Sequence, residues 1–432
     1  MDTETLPPSP EQAPPKDGVS KVKDGQAWRE LCSKVAANEV TFVHIGDEAD
    51  DLGELAIALL SCTSVNRITM DLSCVSTYQA SLFSILEVLS TTTSLHSFEL
   101  VKVDFSNSSV VVATSVLLET IAKNKSIRDI TIDCRGYSHP PFLQQHAPSE
   151  IPAAIAKCTY VESCWLEHLD ELLLEQTLLA MRKNKKLKTL SLIPRHYSVT
   201  TFEALGVLVG RSSSLATLEL HEVRLTAKRF HPVVAALKAS KVKELALHHC
   251  RLTRPATEML QYLNDHLGTC KLETLSLGRD VRFSKPMQDV LAVVLHNHRW
   301  KTLDLKYQAL GKALPRLLLA LSEQTNLENL ILGTIEKEAD IEKFVSMIAK
   351  IQGLSSLTLS IPEAETDRVV SAIKTNSDVQ SCCINDREIQ MKRPSLMKTM
   401  IEYKTNRVSD DDYQGMFANE TDDRSDDGTS IG

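Results

Sequence analysis

The sequence lacks the motifs and runs that identify many enzymes and membrane proteins. It contains no GxxxxGK[ST], GxGxxG, GxSxG or HExxH pattern, and it lacks the set of protein-kinase motifs. These absences exclude the common phosphate-binding loops, dinucleotide-binding turns, serine nucleophile elbows and zinc-peptidase helices. Its longest apolar stretches, such as SVLLETIA and PRLLLALSE, are far shorter than a membrane span. The acidic, proline-rich start MDTETLPPSPEQAPP has no basic region and no apolar region, and predicts no secretory signal.

The net charge and the pattern of cysteines predict which partners and which cellular compartment suit this protein. The formal charge of the 432-residue chain is −8, so we expect neither a nucleic acid nor a membrane as a partner. The ten cysteines are scattered without a CxxC pair, and in the absence of an export signal they predict reduced thiols in the cytoplasm. With 43% hydrophobic and only 5% aromatic residues, the composition is typical of a soluble, ordered protein.

A short pattern, apolar-x-x-apolar-x-apolar, recurs through most of the chain. KLKTLSL (186–192) has near copies such as SLATLEL, KVKELAL, KLETLSL and NLENLIL, and looser copies on both sides. The first apolar residues of the thirteen copies stand at positions 40, 65, 95, 127, 161, 187, 215, 242, 272, 300, 327, 354 and 379. Successive copies are therefore 25 to 34 residues apart. A period of this size indicates a solenoid, in which each unit buries its apolar faces only against its neighbours.

Each unit combines a strand with a helix. The alternating LxL predicts a short strand, and the remainder predicts a helix, as in TTFEALGVLVGR (200–211) with a capping box from Thr200 to Glu203. Pro255 is suitably placed to begin another helix over 255–267. The fold class is therefore α/β, a solenoid of about 13 strand-helix units.

The best-preserved unit, VKELALHHCRL (242–252), matches LxxLxLxx(N/C)xL apart from a valine in place of the first leucine. Residues 39–385 thus resemble the leucine-rich-repeat family in its long, helix-bearing, ribonuclease-inhibitor-like form. The resemblance implies a horseshoe with parallel strands on the concave face, and it implies protein recognition. The resemblance also implies that the side chains at the Asn/Cys position stack into a buried ladder. In other units this position holds Val103, Val223, Gln308 and Ile335, so we expect the ladder to be irregular.

The ends of the chain differ from the repeats. We predict a disordered proline-rich tail over 1–24, a repeat domain over 25–385 with a capping helix at 25–39, a capping segment over 386–408 and a disordered acidic tail over 409–432. The proline-rich stretch 134–154 interrupts the repeat and is predicted to be a projecting loop.

The middle residue of each LxL points away from the core and defines a column on the concave face. Columns on either side contribute further polar residues. The predicted partner-binding residues are Glu99, Asp129, Thr131, Asp133, Trp165, Glu167, Ser191, Glu219, His221, Glu244, His248, Asp304 and Lys306. Acids outnumber bases among them, which predicts a protein partner with a basic or polar patch. Trp165 would be an exposed anchor, unless its loosely conserved unit is out of register and the ring is core.

Clustered histidines and cysteines do not predict a metal site or a catalytic site. Adjacent strand residues point to opposite faces, so His248 and His249 cannot easily share an ion, and Cys250 falls on a buried position. Cys164 and Cys382 replace inward leucines. We therefore predict no catalytic residues, no metal ligands and no cofactor.

These observations predict a non-enzymatic interaction scaffold or adaptor that binds a protein through the concave face. The alternative is a GTPase activator similar to RanGAP, which also combines helix-bearing repeats with an acidic C-terminal region. A tropomodulin-like actin regulator would require an actin-binding helix that residues 1–38 hardly provide. Ser395, Ser409 and Ser425 are candidate phosphorylation sites, and the sequence leaves the oligomeric state open.

Overall fold

A computed structural model describes residues 25–47, 49, 51–135, 148–194, 197–252, 265–266, 270–278, 300–306 and 314–391. The chain divides into two units after Met391, and the first unit contains all of the described residues. The predicted tails over 1–24 and 409–432 therefore lie outside them, as do Pro255, Gln308 and the three candidate phosphorylation sites.

The first unit is an α/β solenoid built on one sheet of fourteen described strands. Thirteen are parallel and follow the chain order, as the repeat predicts. The fourteenth, Arg387–Gln390, is antiparallel to the strand before it, Ser381–Ile384. The sheet strands are β1 (Phe42–Ile45), β2 (Arg67–Asp71), β3 (Ser97–Val101), β4 (Asp129–Asp133), β5 (Ser163–Glu167), β6 (Thr189–Ile193), β7 (Thr217–His221), β9 (Glu244–His248), β11 (Thr274–Leu277), β12 (Thr302–Leu305), β13 (Asn329–Thr334), β14 (Ser356–Ser360), β15 (Ser381–Ile384) and β16 (Arg387–Gln390). A separate parallel pair joins β8 (Arg224–Leu225) to β10 (Arg251–Leu252).

Helices cover one face of this sheet. The described helices are α1 (Gly25–Ala36), α2 (Leu52–Ser61), α3 (Val75–Tyr78), α4 (Leu82–Thr91), α5 (Ser108–Ile121), α6 (Glu150–Lys157), α7 (Glu171–Met181), α8 (Val199–Arg211), α9 (Ala227–Leu237), α10 (Leu314–Ser322), α11 (Glu338–Ile348) and α12 (Thr366–Thr375). Among them, none is both long enough and apolar enough to span a lipid bilayer.

Side-chain caps set where several helices begin. Asp170 and Ser198, for example, accept backbone N–H groups at the starts of α7 and α8. The predicted capping box from Thr200 to Glu203 is wrong, because α8 begins at Val199 and Ser198 is its cap. Ser198 takes over that role since its hydroxyl accepts the Thr201 N–H at 3.1 Å.

The core is one continuous layer between the sheet and the helices. The inward strand residues are buried throughout, including the cysteines at the leucine positions, Cys164 and Cys382. Trp300 and Cys250 are also buried. The post-strand ladder is irregular, as expected, because apolar side chains such as Val103 and Val223 fill it instead of asparagine.

A different buried ladder lies at the other edge, in the loops that lead from each helix to the next strand. Asn184 donates to the carbonyls of Cys158 (3.0 Å) and Val161 (2.9 Å) and accepts the N–H of Lys186 (2.8 Å). Asn124 and Asn376 bridge their neighbouring repeats in the same way. One asparagine side chain thus holds two repeats together at backbone groups that would otherwise be unpaired.

The ends of the repeat array are closed differently. At the first end, α1 buries Trp28, whose indole donates to the carbonyl of Asp51 at 3.1 Å. At the other end, Asn385 and Asp386 both have positive φ and form the two-residue turn of a hairpin between β15 and β16. The interruption over 134–154 is not entirely loop, since its last residues begin α6, while 136–147 lie outside the described residues.

Candidate functional site

The strand register places the predicted columns on the helix-free, concave face of the sheet. Glu99 pairs with Thr131, Thr131 with Trp165, Trp165 with Ser191 and Ser191 with Glu219 across successive strands. Asp304 continues this central column on β12. Asp129 and Glu244 begin their strands, while Asp133, Glu167, His221 and His248 end theirs. Lys306 follows β12 directly.

Many of these residues are buried even though they face away from the core. Glu99, Thr131, Asp133, Glu167 and Ser191 are at most 9% exposed. Parallel strands lie only about 4.8 Å apart, so side chains on neighbouring strands of a concave face cover one another. The surface open to a partner is therefore smaller than the predicted columns, and the role of the buried residues as contacts stays a prediction.

One carboxylate is neutralised where β2 meets β3. Glu99 accepts hydrogen bonds from the guanidinium of Arg67 at 2.7 Å and from the hydroxyl of Thr69 at 2.9 Å. Arg67 also lies over the ring of Phe42, 5.2 Å from its centroid. Glu99 thus already has a cationic partner within the chain.

Two further charge clusters flank it along the ends of the strands. Lys102 contacts Asp71 at 2.6 Å. Burial acts to raise the pKa of Asp71, but the ammonium of Lys102 and the hydrogen bonds from Ser73 outweigh it. The pKa of Asp71 therefore lies below its usual value. Arg135 contacts both Asp133 (2.9 Å) and Glu167 (3.2 Å). The acids on this part of the face are therefore paired internally.

The open part of the face carries a row of three rings, Trp165, His221 and His248, which we call the aromatic row. The Trp165 and His221 ring centroids lie 5.9 Å apart, and those of His221 and His248 lie 4.6 Å apart. All three are partly exposed. Trp165 and His221 belong to the strands on either side of β6. The small, fully buried Ser191 of β6 pairs with Trp165, and its hydroxyl lies 3.2 Å from Nε2 of His221. The alternative that Trp165 is core is wrong, since its strand is in register and its ring is half-buried.

Ser191, His221 and Glu219 are close together without the geometry of a catalytic triad. The Ser191 Oγ and the Glu219 Oε2 both face Nε2 of His221, at 3.2 Å and 3.8 Å. In a triad the serine and the carboxylate use different ring nitrogens. Burial acts to raise the pKa of Glu219, but His221, His248 and Ser191 outweigh it and lower the pKa. The trio can therefore position the His221 ring as a contact surface.

His248 depends on a glycine in the next repeat. A Cβ at Gly278 would lie 2.5 Å from Nδ1 and 2.9 Å from Cα of His248, so only glycine leaves room for this ring. Burial, together with the charge of His221, lowers the pKa of His248 to about 4. The histidine is therefore neutral at physiological pH.

We predict that this neutral histidine makes stability depend on pH. Between its folded pKa of about 4 and its unfolded pKa of about 6.5, the unfolded chain carries a proton on this ring that the folded chain lacks, so stability falls as pH falls. From pH 7 to pH 5 the wild type should lose about 2 kcal/mol more than His248→Gln. Urea unfolding followed by circular dichroism at both pH values measures this, and equal losses in the two proteins would contradict it.

Seven of the ten cysteines are buried, and the other three are partly exposed. Each of the ten is a free thiol. Burial raises the pKa of Cys158 and of Cys250 to about 12. Cys250 also donates to the carbonyl of Leu220 at 3.4 Å, which ties two repeats together. Within the described ranges, no group of three or more histidine, cysteine or acidic side chains is arranged to hold a metal ion.

No protein-family model and no curated protein matches the sequence. Among solved structures, the chain is similar to a protein from Bacteroides fragilis, with 14% identity over 61% of this chain and 70% of that chain and a TM-score of 0.34. It is also similar to a chain in the crystal structure of the yeast Rad7 and Elc1 complex, with 13% identity over 86% of this chain and 87% of that chain and a TM-score of 0.38. At TM-scores below 0.5, neither likeness supports an argument about fold or partner.

Proposed function

We propose that this chain is a cytoplasmic, non-enzymatic leucine-rich-repeat protein of the ribonuclease-inhibitor-like type, which binds a protein partner through the aromatic row. Its strand-helix repeat and the thirteen parallel strands of its main sheet support the leucine-rich-repeat type. Ten free cysteines suit a reducing compartment. The scaffold holds its surface side chains in fixed relative positions, so little conformational entropy is lost on binding.

The observation that carries the proposal is the partly exposed Trp165 in the central column of the concave face, on the fifth of the fourteen described strands. Tryptophan at the centre of a surface is a common anchor of protein interfaces, especially when its surroundings exclude water. Here His221 and His248 extend the apolar surface on one side, and the Arg135 ion pairs border it on the other.

The charge pairs refine the expected partner. The prediction of a basic patch rested on an excess of carboxylates, but Glu99, Asp133 and Glu167 are already paired with arginines. We therefore propose a polar partner surface with a central apolar or aromatic side chain that contacts Trp165.

The proposal is tested by quantitative affinity capture with the full chain and two variants. Trp165→Ala should lose the specific partner, because truncation of a central tryptophan costs at least about 2 kcal/mol, or about 30-fold in affinity. Val112→Ala removes an exposed apolar side chain from α5, on the helical face, and should retain the partner. Thermal unfolding of both variants shows whether each is folded.

Equal recovery of the same partners by the wild type and Trp165→Ala would overturn the aromatic row as the binding site. The non-enzymatic part is tested separately, by adding the chain to candidate small GTPases. An unchanged rate of GTP hydrolysis is expected, whereas acceleration would support the activator similar to RanGAP.

A further inference from the structure

A second surface with a different character lies at the edge of the solenoid where the helices end and the strands begin. Three consecutive loops, 122–128, 157–162 and 182–188, contain nine lysines and arginines and only one acid, Glu162, in a chain whose formal charge is −8. We call these three loops the basic rim. Most of the cations are exposed, including Lys123, Lys183 and Lys185. The next loop, 211–216, has a single cation, Arg211, so the charge is concentrated in three repeats.

Two rows of side chains run across the three loops of the basic rim. In the first row, Arg128 and Lys188 both contact the carboxylate of Glu162, at 3.7 Å and 2.6 Å. A carboxylate from the middle repeat thus bridges cations from the repeats on either side. The hydrogen bond from Lys188 is the largest cause of the lowered pKa of Glu162, and the charges of Lys188, Arg128 and, more weakly, Lys186 lower it further.

The second row has the same layout with an uncharged residue at its centre. The ammonium groups of Lys186 and Lys125 lie 4.6 Å and 5.8 Å from the centroid of the Tyr160 ring. The ring holds both ammonium groups in place through cation–π contacts but neutralises neither. In the part of the chain that the structure describes, neither lysine forms a salt bridge with a carboxylate.

Helix ends alone do not account for this row. Cations in the last turn of a helix interact favourably with the helix dipole, which suffices for Lys123, Arg182 and Lys183 just beyond α5 and α7. Lys125 and Lys186 lie further along, next to the strands, where the dipole has little effect. Because two like charges lie at one ring, an anion that contacts the ammonium groups is electrostatically favourable there.

We propose that the basic rim binds an acidic protein segment, rich in aspartate or glutamate, whose carboxylates contact Lys125 and Lys186. Glu162 shows in the neighbouring row how a carboxylate bridges cations of these same two repeats. The lysines are already positioned by Tyr160, so their ordering costs little on binding. The surface is separate from the concave aromatic row and does not depend on the partner proposed for it.

The structure favours a carboxylate segment over a nucleic acid. Single-stranded nucleic acids are held by stacking bases on open aromatic faces, combined with a charged groove. The single ring of this surface, Tyr160, is occupied by two ammonium groups, and the other side chains of the rim offer point charges only.

The test uses fluorescence anisotropy with the full chain and a labelled peptide of alternating glutamate and serine. Lys125→Gln combined with Lys186→Gln should weaken binding about tenfold, because two pre-positioned charges are lost. The matched control is Lys243→Gln with Lys301→Gln, which removes the same charge from the same edge. Both control lysines already contact Glu273, at 3.1 Å and 2.9 Å, so binding should change less than about twofold.

Two further arms separate charge from position. Tyr160→Leu keeps every charge and should weaken binding by about two- to fivefold, because the lysines lose their fixed positions. A peptide with glutamine in place of glutamate should not bind, and added salt should weaken the glutamate peptide. Circular dichroism confirms that each variant is folded.

Several outcomes would overturn the proposal. They are no binding of the glutamate peptide in the micromolar range, an equal loss in the two double variants, and tighter binding of a single-stranded oligonucleotide or of phosphatidylserine vesicles than of the peptide.

Discussion

Replacement of Asn184 with alanine should lower the free energy of unfolding by at least about 3 kcal/mol. The amide donates to the carbonyls of Cys158 and Val161, and its oxygen accepts the N–H groups of Lys186 (2.8 Å) and Leu187 (3.2 Å). Alanine leaves all four backbone groups without this partner, and these groups are buried or partly buried. Each unsatisfied group costs about 1 to 3 kcal/mol, reduced where water can enter.

The next repeat supplies a matched control for this prediction. Ser212 occupies the equivalent position, three residues before the first strand leucine, but its hydroxyl accepts only Leu215 N–H (3.1 Å) and Ser214 N–H (3.4 Å). Ser212→Ala should therefore cost about 1 kcal/mol. Urea unfolding gives the two values, and hydrogen exchange at Lys186 and Leu187 should accelerate only in the asparagine variant. Equal costs would show that the asparagine does not bridge the repeats.

Gly206→Ala should destabilise the chain by about 1 to 2 kcal/mol, although alanine is the better helix former by about 1 kcal/mol. A Cβ at this position in α8 would lie 2.8 Å from the carbonyl oxygen and 2.9 Å from the carbonyl carbon of Pro232 in α9. Because these atoms belong to the backbone, no side chain can move aside, and the two helices would have to separate.

One turn further along α8, the same substitution should have the opposite sign. A Cβ at Gly210 would lie 3.5 Å from the Cβ of Ala236, which is ordinary contact. Gly210→Ala should therefore stabilise the chain by about 0.5 to 1 kcal/mol through helix propensity alone. Thermal and urea unfolding of the two variants check the reversal, and a stabilising Gly206→Ala would contradict the close approach of α8 and α9.

Two features can be seen in the sequence once the repeats are aligned. They are the basic rim and the buried ladder of asparagines in the loops that lead from helix to strand. Asn124, Asn184 and Asn376 all stand three residues before the first apolar residue of a strand pattern. The lysine-rich loops precede the same pattern. Both features fall between the predicted helices and strands, in segments where periodicity carries no information, and so their roles emerge only from the contacts.

The repeat pattern by itself determined the order of the strands, their parallel pairing and the residues of the concave columns. Alternation along a strand decides which face each side chain takes, and stacking of similar units forces equivalent positions into register. Its spacing assigned Trp165 to the concave face with a core position as the open alternative, and the register of β5 with its neighbours decided between the two.

Only the tertiary structure decided which of those residues remain accessible and what they contact. Exposure on a concave sheet depends on side chains from strands some 28 residues away in sequence, so Glu99 and Ser191 are buried while Trp165 is not. The pairing of Arg135 with two acids and the contact of His221 with His248 likewise join residues of different repeats. Such contacts depend on side-chain length and on the space beside each strand, as at Gly278, and a repeat pattern encodes neither.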